Sequence, residues 1–189
     1  MLQLDDSGWV IDARRIASPN HDARPSGEAV RLLVIHAISL PPNRFGGHWI
    51  EDLFLNRLDP QADAYFASIH QLRVSAHFLI RRDGELLQFV SCNERAWHAG
   101  VSTWAGRERC NDFSIGVELE GCDEQAFEDV QYDTLNRLSR VLHVAYPIID
   151  VVGHSDIAPG RKTDPGPFFT WSKVDAPCVR GAKIKKFLA

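Results

Sequence analysis

Runs of apolar residues separated by turn-forming residues predict several buried strands. Residues 31–40, "RLLVIHAISL", are apolar and β-branched and predict a buried strand, which the following "PPN" ends. Residues 76–90, "AHFLIRRDGELLQFV", contain two apolar runs joined by Asp83-Gly84. This dipeptide indicates a hairpin, because both residues tolerate a positive φ. Residues 148–154, "IIDVVGH", predict a last strand.

Two other stretches have the spacing of amphipathic helices. A third alternates between apolar and polar residues, as a strand does. Residues 48–58, "HWIEDLFLNRL", place apolar side chains at helical spacing, and so do residues 128–146, where Pro147 ends the pattern. Residues 113–121, "FSIGVELEG", alternate strictly, so that Glu118 and Glu120 point away from the apolar face of a strand.

This mixture of strands, a hairpin and helices predicts an α+β (mixed α/β) fold, in which helices flank a central mixed β-sheet. The length of 189 residues fits a single domain, residues 1–189. We expect its core to span about residues 8–171. Residues 175–189 are expected to form a short helix or a tail.

The composition is that of a globular protein without a basic surface. Hydrophobic residues make up 44% and charged residues 24%, and the formal net charge of −4 argues against binding to nucleic acid or to an anionic membrane. No apolar run approaches the roughly 20 residues that a membrane helix needs, and the N-terminus lacks the apolar region of a signal peptide. We therefore expect a cytoplasmic protein whose four cysteines, without any CxxC pair, are reduced.

Two histidines and one carboxylate are candidate metal ligands. His36 and His154 follow apolar strand segments, and Asp164 lies on the Pro- and Gly-rich loop "GHSDIAPGRKTDPG". If the two strand ends meet at one edge of the sheet, these residues supply the ligand set of a catalytic zinc with one open position. The alternative is one structural and one surface histidine, since the spacing matches no short zinc motif.

Glu118 and Lys162 are candidates for acid–base and electrostatic roles. A partly buried Glu118 near a metal-bound water has the properties of a general base. The alternative is a carboxylate on the solvent-facing side of an antiparallel strand, which fits Glu120 better than Glu118. Lys162 lies two residues before Asp164 and is placed to stabilise an oxyanion, although most lysines are simply solvated.

Aromatic residues surround a small-residue loop, "RAWHAGVSTW", at residues 95–104. Trp97 and His98 can stack on a sugar or a peptide, or they can close the core. The local pattern leaves both interpretations open.

Taken together, "VIHAISLPP", "VSAHFLIRRDG", "AWHAGVS", "GRERCNDFSIGVELEG" and "GHSDIAPGRKTDPG" resemble the zinc-dependent N-acetylmuramoyl-L-alanine amidases, in particular the cytoplasmic AmpD-like branch that acts on 1,6-anhydro-muropeptides. The resemblance implies one Zn²⁺ per chain and the amidase type 2, peptidoglycan-recognition-like fold. It also implies the following roles: metal ligands His36, His154 and Asp164; general base Glu118; oxyanion-stabilising Lys162; substrate contacts Arg73, Arg109, Trp97, His98 and Ala158.

The resemblance predicts hydrolysis of the amide between 1,6-anhydro-N-acetylmuramic acid and L-alanine in peptidoglycan recycling. Close relatives usually have His-Asn where this chain has His36-Ala37, so a hydrogen bond to the sugar is expected to be missing. A recognition module that binds muropeptide fragments without cutting them is the alternative. The presence of all three candidate ligands together with Glu118 and Lys162 argues against it. The oligomeric state is left open.

Overall fold

Ten strands and four α-helices make up most of the regular structure of residues 2–175, which a computed structural model describes. The strands are β1 (Arg14–Arg15), β2 (His21–Ala23), β3 (Leu32–Ile38), β4 (Phe78–Ile80), β5 (Leu86–Gln88), β6 (Glu94–Ala96), β7 (Thr103–Trp104), β8 (Arg107–Glu108), β9 (Ser114–Glu120) and β10 (Asp150–Gly153). The α-helices are α1 (Trp49–Phe54), α2 (Phe66–Ile69), α3 (Asp129–Ala145) and α4 (His154–Ile157). Two 3-10 helices span Cys110–Phe113 and Trp171–Lys173.

Six strands form the main sheet, in the order β1-β5-β4-β9-β3-β10. Neighbouring strands are parallel except for β4 and β5, which form the hairpin predicted at Asp83-Gly84. Its turn is closed by a hydrogen bond from the Arg81 amide to the Glu85 carbonyl (2.9 Å). The predicted mixed sheet with flanking helices is therefore confirmed, and β3 and β9 lie at its centre.

Helix α3 covers one face of this sheet. Leu135, Leu138 and Leu142 are fully buried and pack with the apolar residues of β3 and β9 that point to the same side, such as Leu33 and Ile115. Glu128 precedes the helix as its N-cap, and its amide bonds the side chain of Gln131 (3.0 Å) in a capping box. The amphipathic helix predicted for residues 128–146 is confirmed to within one residue at each end.

Helices α1 and α2 pack against the β4–β5 side of the sheet and close a second apolar cluster. The helix predicted over residues 48–58 is shorter than expected, because α1 ends at Phe54 and Asn56 has a left-handed backbone with φ of 60°. Leu58 is nevertheless buried. The apolar spacing therefore identified the buried side chains correctly but not the end of the helix.

Of the two carboxylates of β9, Glu118 is half-buried and Glu120 is buried. Glu120 is 2% exposed, and it accepts hydrogen bonds from the Arg81 guanidinium (3.1 Å) and from the amides of Gly46 (2.6 Å) and Arg82 (3.2 Å). The interpretation of Glu120 as the solvent-facing half of an antiparallel strand is wrong. The reason is that Arg81 and the loop at Gly46 cover Glu120, on an inner strand of a largely parallel sheet.

None of the helices in residues 2–175 combines the length and the apolar character that crossing a bilayer requires. Cys92 and Cys110 are buried, Cys122 is half-buried, and all three are free thiols. Met1 and residues 176–189 lie outside the described residues, so the prediction of a short helix or tail there, and the fourth cysteine Cys178, are not described.

Candidate active site

The register of three parallel strands brings the predicted site residues together. His36 of β3 lies directly opposite Glu118 of β9, so both side chains leave the sheet on the same face. On the other side of β3, Ile35 pairs with Gly153 of β10, and His154 is the next residue. The strand ends therefore meet at one edge of the sheet, as the sequence predicted.

His36, His154 and Asp164 form a compact triangle of ligand atoms. The Nδ1 atoms of the two histidines are 3.0 Å apart, and each is 3.1 Å from Oδ2 of Asp164. Tetrahedral zinc with bonds of about 2.0–2.1 Å keeps its ligand atoms about 3.3 Å apart, so the donor set and spacing fit this ion. These three residues can hold a metal.

The protonation states of His36 and Asp164 also suit a cation. Burial lowers the pKa of His36 to about 4, although the hydrogen bond to Asp164 acts in the opposite direction. Burial on its own raises the pKa of Asp164, but the hydrogen bonds with His154 and His36 outweigh it and hold this pKa below its usual value. A neutral imidazole beside an ionised carboxylate is the state in which these groups bind metals.

Glu118 is a half-buried carboxylate with an unsatisfied oxygen. Its Oε2 atom is buried, and no residue in the described part of the chain gives it a hydrogen bond. Burial, followed by the negative charge of Asp164, raises the pKa of Glu118 well above its ordinary value of 4.5, and the positive charge of Lys162 partly opposes this shift. A carboxylate with these properties can accept a proton from a bound molecule.

A cleft of about 450 Å³ opens over the triangle and Glu118. Lys162 is exposed at its wall, and the backbone amide of Lys162 bonds the carbonyl of Ala158 (3.1 Å). Trp97 and His98 also line the cleft, and Trp97 donates its indole N–H to Asp22 (3.2 Å). The His98 ring does more than line the wall, since its Nδ1 lies 2.9 Å from Nε2 of His36.

Three predicted substrate contacts are not among the residues that line the cleft. Arg73 is exposed and donates to the carbonyl of Gln71 (3.2 Å), and Arg109 is 71% exposed and pairs with Asp112 (3.3 Å). The side chain of Ala158 is buried. Their contact with substrate stays a prediction.

One part of the cleft is apolar and was not predicted from the sequence. Residues of the turn-rich segment after α1 and of the loop after β3 line it: Leu40, Pro42, Tyr65, Ile69 and Leu72. Tyr65 and Leu72 are 43% and 48% exposed. Large apolar residues in a stretch otherwise rich in polar turn residues were the signal that could have drawn attention to this region.

Comparisons with known proteins agree with this geometry. The model of the family "N-acetylmuramoyl-L-alanine amidase" matches residues 26–167. The 1,6-anhydro-N-acetylmuramyl-L-alanine amidase AmpD of Escherichia coli K12 is 58% identical over 172 residues, which cover 90% of this chain and 94% of that protein.

Two solved structures are similar as well. A crystal structure of a selenomethionine derivative of AmpD superposes with a TM-score of 0.90 at 56% identity and covers 95% of this chain and 99% of that one. AmiD of E. coli, in complex with anhydro-N-acetylmuramic acid-L-Ala-D-γ-Glu-L-Lys, gives a TM-score of 0.57 at 32% identity and covers 90% of this chain and 63% of that one. On the sequence match, the shared fold and the position of the site, the chain belongs to the N-acetylmuramoyl-L-alanine amidase family.

Proposed function

We propose that the protein is a zinc-dependent amidase that hydrolyses the amide between 1,6-anhydro-N-acetylmuramic acid and the L-alanine of a muropeptide. The observation that carries this proposal is the triangle of His36, His154 and Asp164, together with Glu118 on the adjacent strand, whose buried Oε2 accepts no hydrogen bond from residues 2–175. The AmpD relatives, which are named for this substrate, support its identity.

His36 and His154 would hold one zinc ion through Nδ1, and Asp164 would hold it through Oδ2, with a fourth position left for water or substrate. When bound, zinc lowers the pKa of water and polarises a carbonyl group. The chain's own residues then have to place the substrate and move the protons.

Glu118 is the proposed general base. Its carboxylate takes one proton from the attacking water while the water oxygen bonds to the lactyl carbonyl carbon. The same carboxyl group returns that proton to the alanine nitrogen as the carbon–nitrogen bond breaks, so Glu118 ends the reaction as it began. The raised pKa that burial gives this group supports the assignment, because an efficient base has a pKa near the working pH.

Lys162 is the proposed oxyanion-stabilising residue. Negative charge develops on the carbonyl oxygen during the attack, and an ammonium group at the wall of the cleft stabilises this charge more than the neutral carbonyl. Lys162 lines the same cleft as Glu118, and its positive charge lowers the pKa of Glu118 and of His36.

Substrate binding is assigned to the cleft and its rim. Its volume of about 450 Å³ is in the range of small-molecule sites. Trp97 and His98 at the wall are the proposed contacts for the sugar or the first peptide bonds. Arg73 and Arg109, which are exposed outside the wall, are proposed contacts of a substrate that extends beyond it. The predicted contact through Ala158 is left out of this proposal, because its side chain is buried.

The proposed setting is the recycling of cell-wall fragments in the cytoplasm, where imported muropeptides rather than the intact wall are the target. We also infer that one amidase domain accounts for the chain, with the family match over residues 26–167 in support.

Product analysis tests the proposed function. We expect the purified protein, incubated with an anhydromuramyl tripeptide, to release the free tripeptide, which mass spectrometry detects. A chelator should abolish the release and added zinc should restore it. Binding of the muropeptide without any product would instead indicate a recognition module.

A pair of glutamate variants assigns the base. We expect Glu118→Gln to retain one zinc per chain and to lose turnover by about 10²–10⁴-fold, the usual contribution of a general base. Glu85→Gln, which changes an exposed carboxylate on the hairpin, serves as the matched control. Wild-type turnover in Glu118→Gln would remove Glu118 from the mechanism.

A further inference from the structure

Two consecutive residues lie behind the two histidine ligands. Nε2 of His36 is 2.9 Å from Nδ1 of His98, and Nε2 of His154 is 3.2 Å from the carbonyl oxygen of Ala99. Each proposed ligand therefore turns Nδ1 toward Asp164 and its other ring nitrogen toward one member of this pair. We call residues 98–99 the backing pair.

The contact with Ala99 fixes which ring nitrogen of His154 carries the proton. A carbonyl oxygen only accepts hydrogen bonds, so the contact with Ala99 requires a proton on Nε2 of His154 and leaves Nδ1 with its lone pair. His36 is held in the same state if it donates to Nδ1 of His98. His98 then donates from Nε2 to Oγ of Ser114, which lies 3.1 Å away.

The backing pair is itself held by a residue that touches neither ligand. The side-chain oxygen of Asn111 accepts hydrogen bonds from the amides of both His98 (3.2 Å) and Ala99 (2.8 Å). An oxygen must face these atoms, because both partners are N–H donors. Arg161 adds a hydrogen bond to the Ala99 carbonyl (2.8 Å).

The sheet leaves room for the His98 ring at one position. A Cβ atom on Gly116 would lie 2.4 Å from Cγ of His98, a distance at which the ring would have to move. Gly116 lies between Ser114 and Glu118 on the face of β9 that carries the site. The His98 ring therefore packs closely against β9 at Gly116, and Asn111 holds the backbone of residues 98–99 in place.

We propose that Asn111 is a positioning residue for the metal site, which acts by clamping His98 and Ala99 so that both histidine ligands present Nδ1 to the metal. This inference rests on the proposed function, since it assumes that zinc binds at the triangle. Hydrogen-bond partners of metal ligands typically change metal affinity by about 10–100-fold. The same range is expected for Asn111, although it lies one residue further out.

Zinc affinity, measured by competition with a chelator, tests whether Asn111 positions the two histidine ligands through His98 and Ala99. We expect Asn111→Ala to weaken zinc binding at least about tenfold. Asn111→Asp keeps an oxygen that accepts both amide hydrogen bonds and should stay within about threefold of the wild type. His98→Leu should weaken binding as Asn111→Ala does. His98→Asn should be milder, because its side-chain oxygen replaces Nδ1 as an acceptor.

A matched control separates positioning from a general loss of stability. Gln131→Leu removes a fully buried hydrogen-bonding side chain of α3, on the other face of the sheet, and should leave zinc affinity unchanged. The second readout is the ¹⁵N shifts of the His36 and His154 rings in the zinc-free protein, since a metal on Nδ1 would itself keep the proton on Nε2. Both rings should have a protonated Nε2 in the wild type and in Asn111→Asp, and mixed tautomers in Asn111→Ala.

The outcomes are distinguishable from a failure of the proposed function. If the wild-type protein binds no zinc, both the proposed function and the clamp are wrong. If the wild type and a folded Asn111→Ala bind zinc equally well, the positioning role of Asn111 alone is wrong. An equal loss in Gln131→Leu also overturns it. If Asn111→Ala does not fold, the comparison of His98→Leu with His98→Asn decides.

Discussion

Lys162 acts on Glu118 through its charge as well as on the substrate. Burial and Asp164 raise the pKa of Glu118, while Lys162 lowers it. In Lys162→Met we therefore expect turnover to fall by about 10²-fold through the loss of oxyanion stabilisation. The acid limb of the pH–rate profile should also move to higher pH, since the base must be ionised and its pKa is no longer lowered by the ammonium group.

The profile of kcat against pH measures both effects at once. Lys173→Met is a suitable control, because Lys173 pairs with Asp129 on the opposite side of the sheet and does not line the cleft. An acid limb that stays in place, or moves to lower pH, in Lys162→Met would contradict the predicted electrostatic coupling.

Ala37 is the residue at which the family resemblance predicts a missing hydrogen bond to the sugar. It lines the cleft beside His36 and has no polar side chain to offer a sugar. Ala37→Asn should add one hydrogen bond worth about 0.5–1.5 kcal/mol, which corresponds to a roughly 2–10-fold higher kcat/KM. The comparison of anhydro- and non-anhydro-muropeptides measures the change, and an equal gain on both substrates would argue against a contact with the anhydro sugar.

At the scale of the elements, the β4–β5 hairpin depends on a glycine for two reasons. Gly84 has a φ of +85°, and a Cβ atom there would lie 2.6 Å from Cγ2 of Val130 in α3. Gly84→Ala should therefore lower the free energy of unfolding by about 1–3 kcal/mol through backbone strain and overpacking together. Urea denaturation measures this, and zinc affinity should not change.

Gly27→Ala isolates the backbone part of this effect. Gly27 has a similar φ of +77°, but nothing lies within 4 Å of the position of its Cβ. Its alanine variant should lose less stability than Gly84→Ala. Equal losses would show that the contact between the hairpin and α3 contributes nothing.

The sequence predicted the strands and helices more accurately than the burial of their side chains. Alternation in residues 113–121 correctly assigned Ile115, Val117 and Leu119 to one buried face. It could not show that Glu120 on the other face is buried as well, because that depends on Arg81 and the loop at Gly46, which come from distant parts of the chain. The burial of Glu120 is a property of the tertiary structure and not of the strand.

The candidate site was predictable from the sequence only in part. His36 and His154 each follow an apolar run, and parallel strands end at a common edge, so their meeting is a consequence of strand direction. The support by Asn111 had no signal in the sequence, because an asparagine before a strand is ordinary in any turn. The apolar side of the cleft depends on how the loop after α1 folds back, which periodicity does not determine.

At the scale of the whole molecule, one buried arginine connects the sheet to α1. Arg81 bonds Glu120 of β9 (3.1 Å), Glu51 of α1 (2.8 Å) and the carbonyl of Gly47 (2.7 Å). Arg81→Met leaves Glu120 buried without its cation, which typically costs about 3–5 kcal/mol. We expect a large drop in the denaturant midpoint.

A double-mutant cycle identifies the cause. Because the main cost of Arg81→Met is an uncompensated buried charge, the variant that also carries Glu120→Gln should be less destabilised than the sum of the two single variants. Strict additivity would show that Arg81 and Glu120 contribute independently.

The triangle of ligand atoms joins positions that are far apart in the chain. His36 lies 118 residues from His154 and 128 residues from Asp164, so an unfolded chain does not present the three groups together. A cation that binds the folded form alone stabilises it by about 2.7 kcal/mol at a hundredfold excess over its Kd. Calorimetry should therefore record a higher Tm with zinc than with a chelator, and a smaller difference in Asp164→Ala. Metal supply would then influence how long each copy of the protein survives, independently of how fast that copy turns over its substrate.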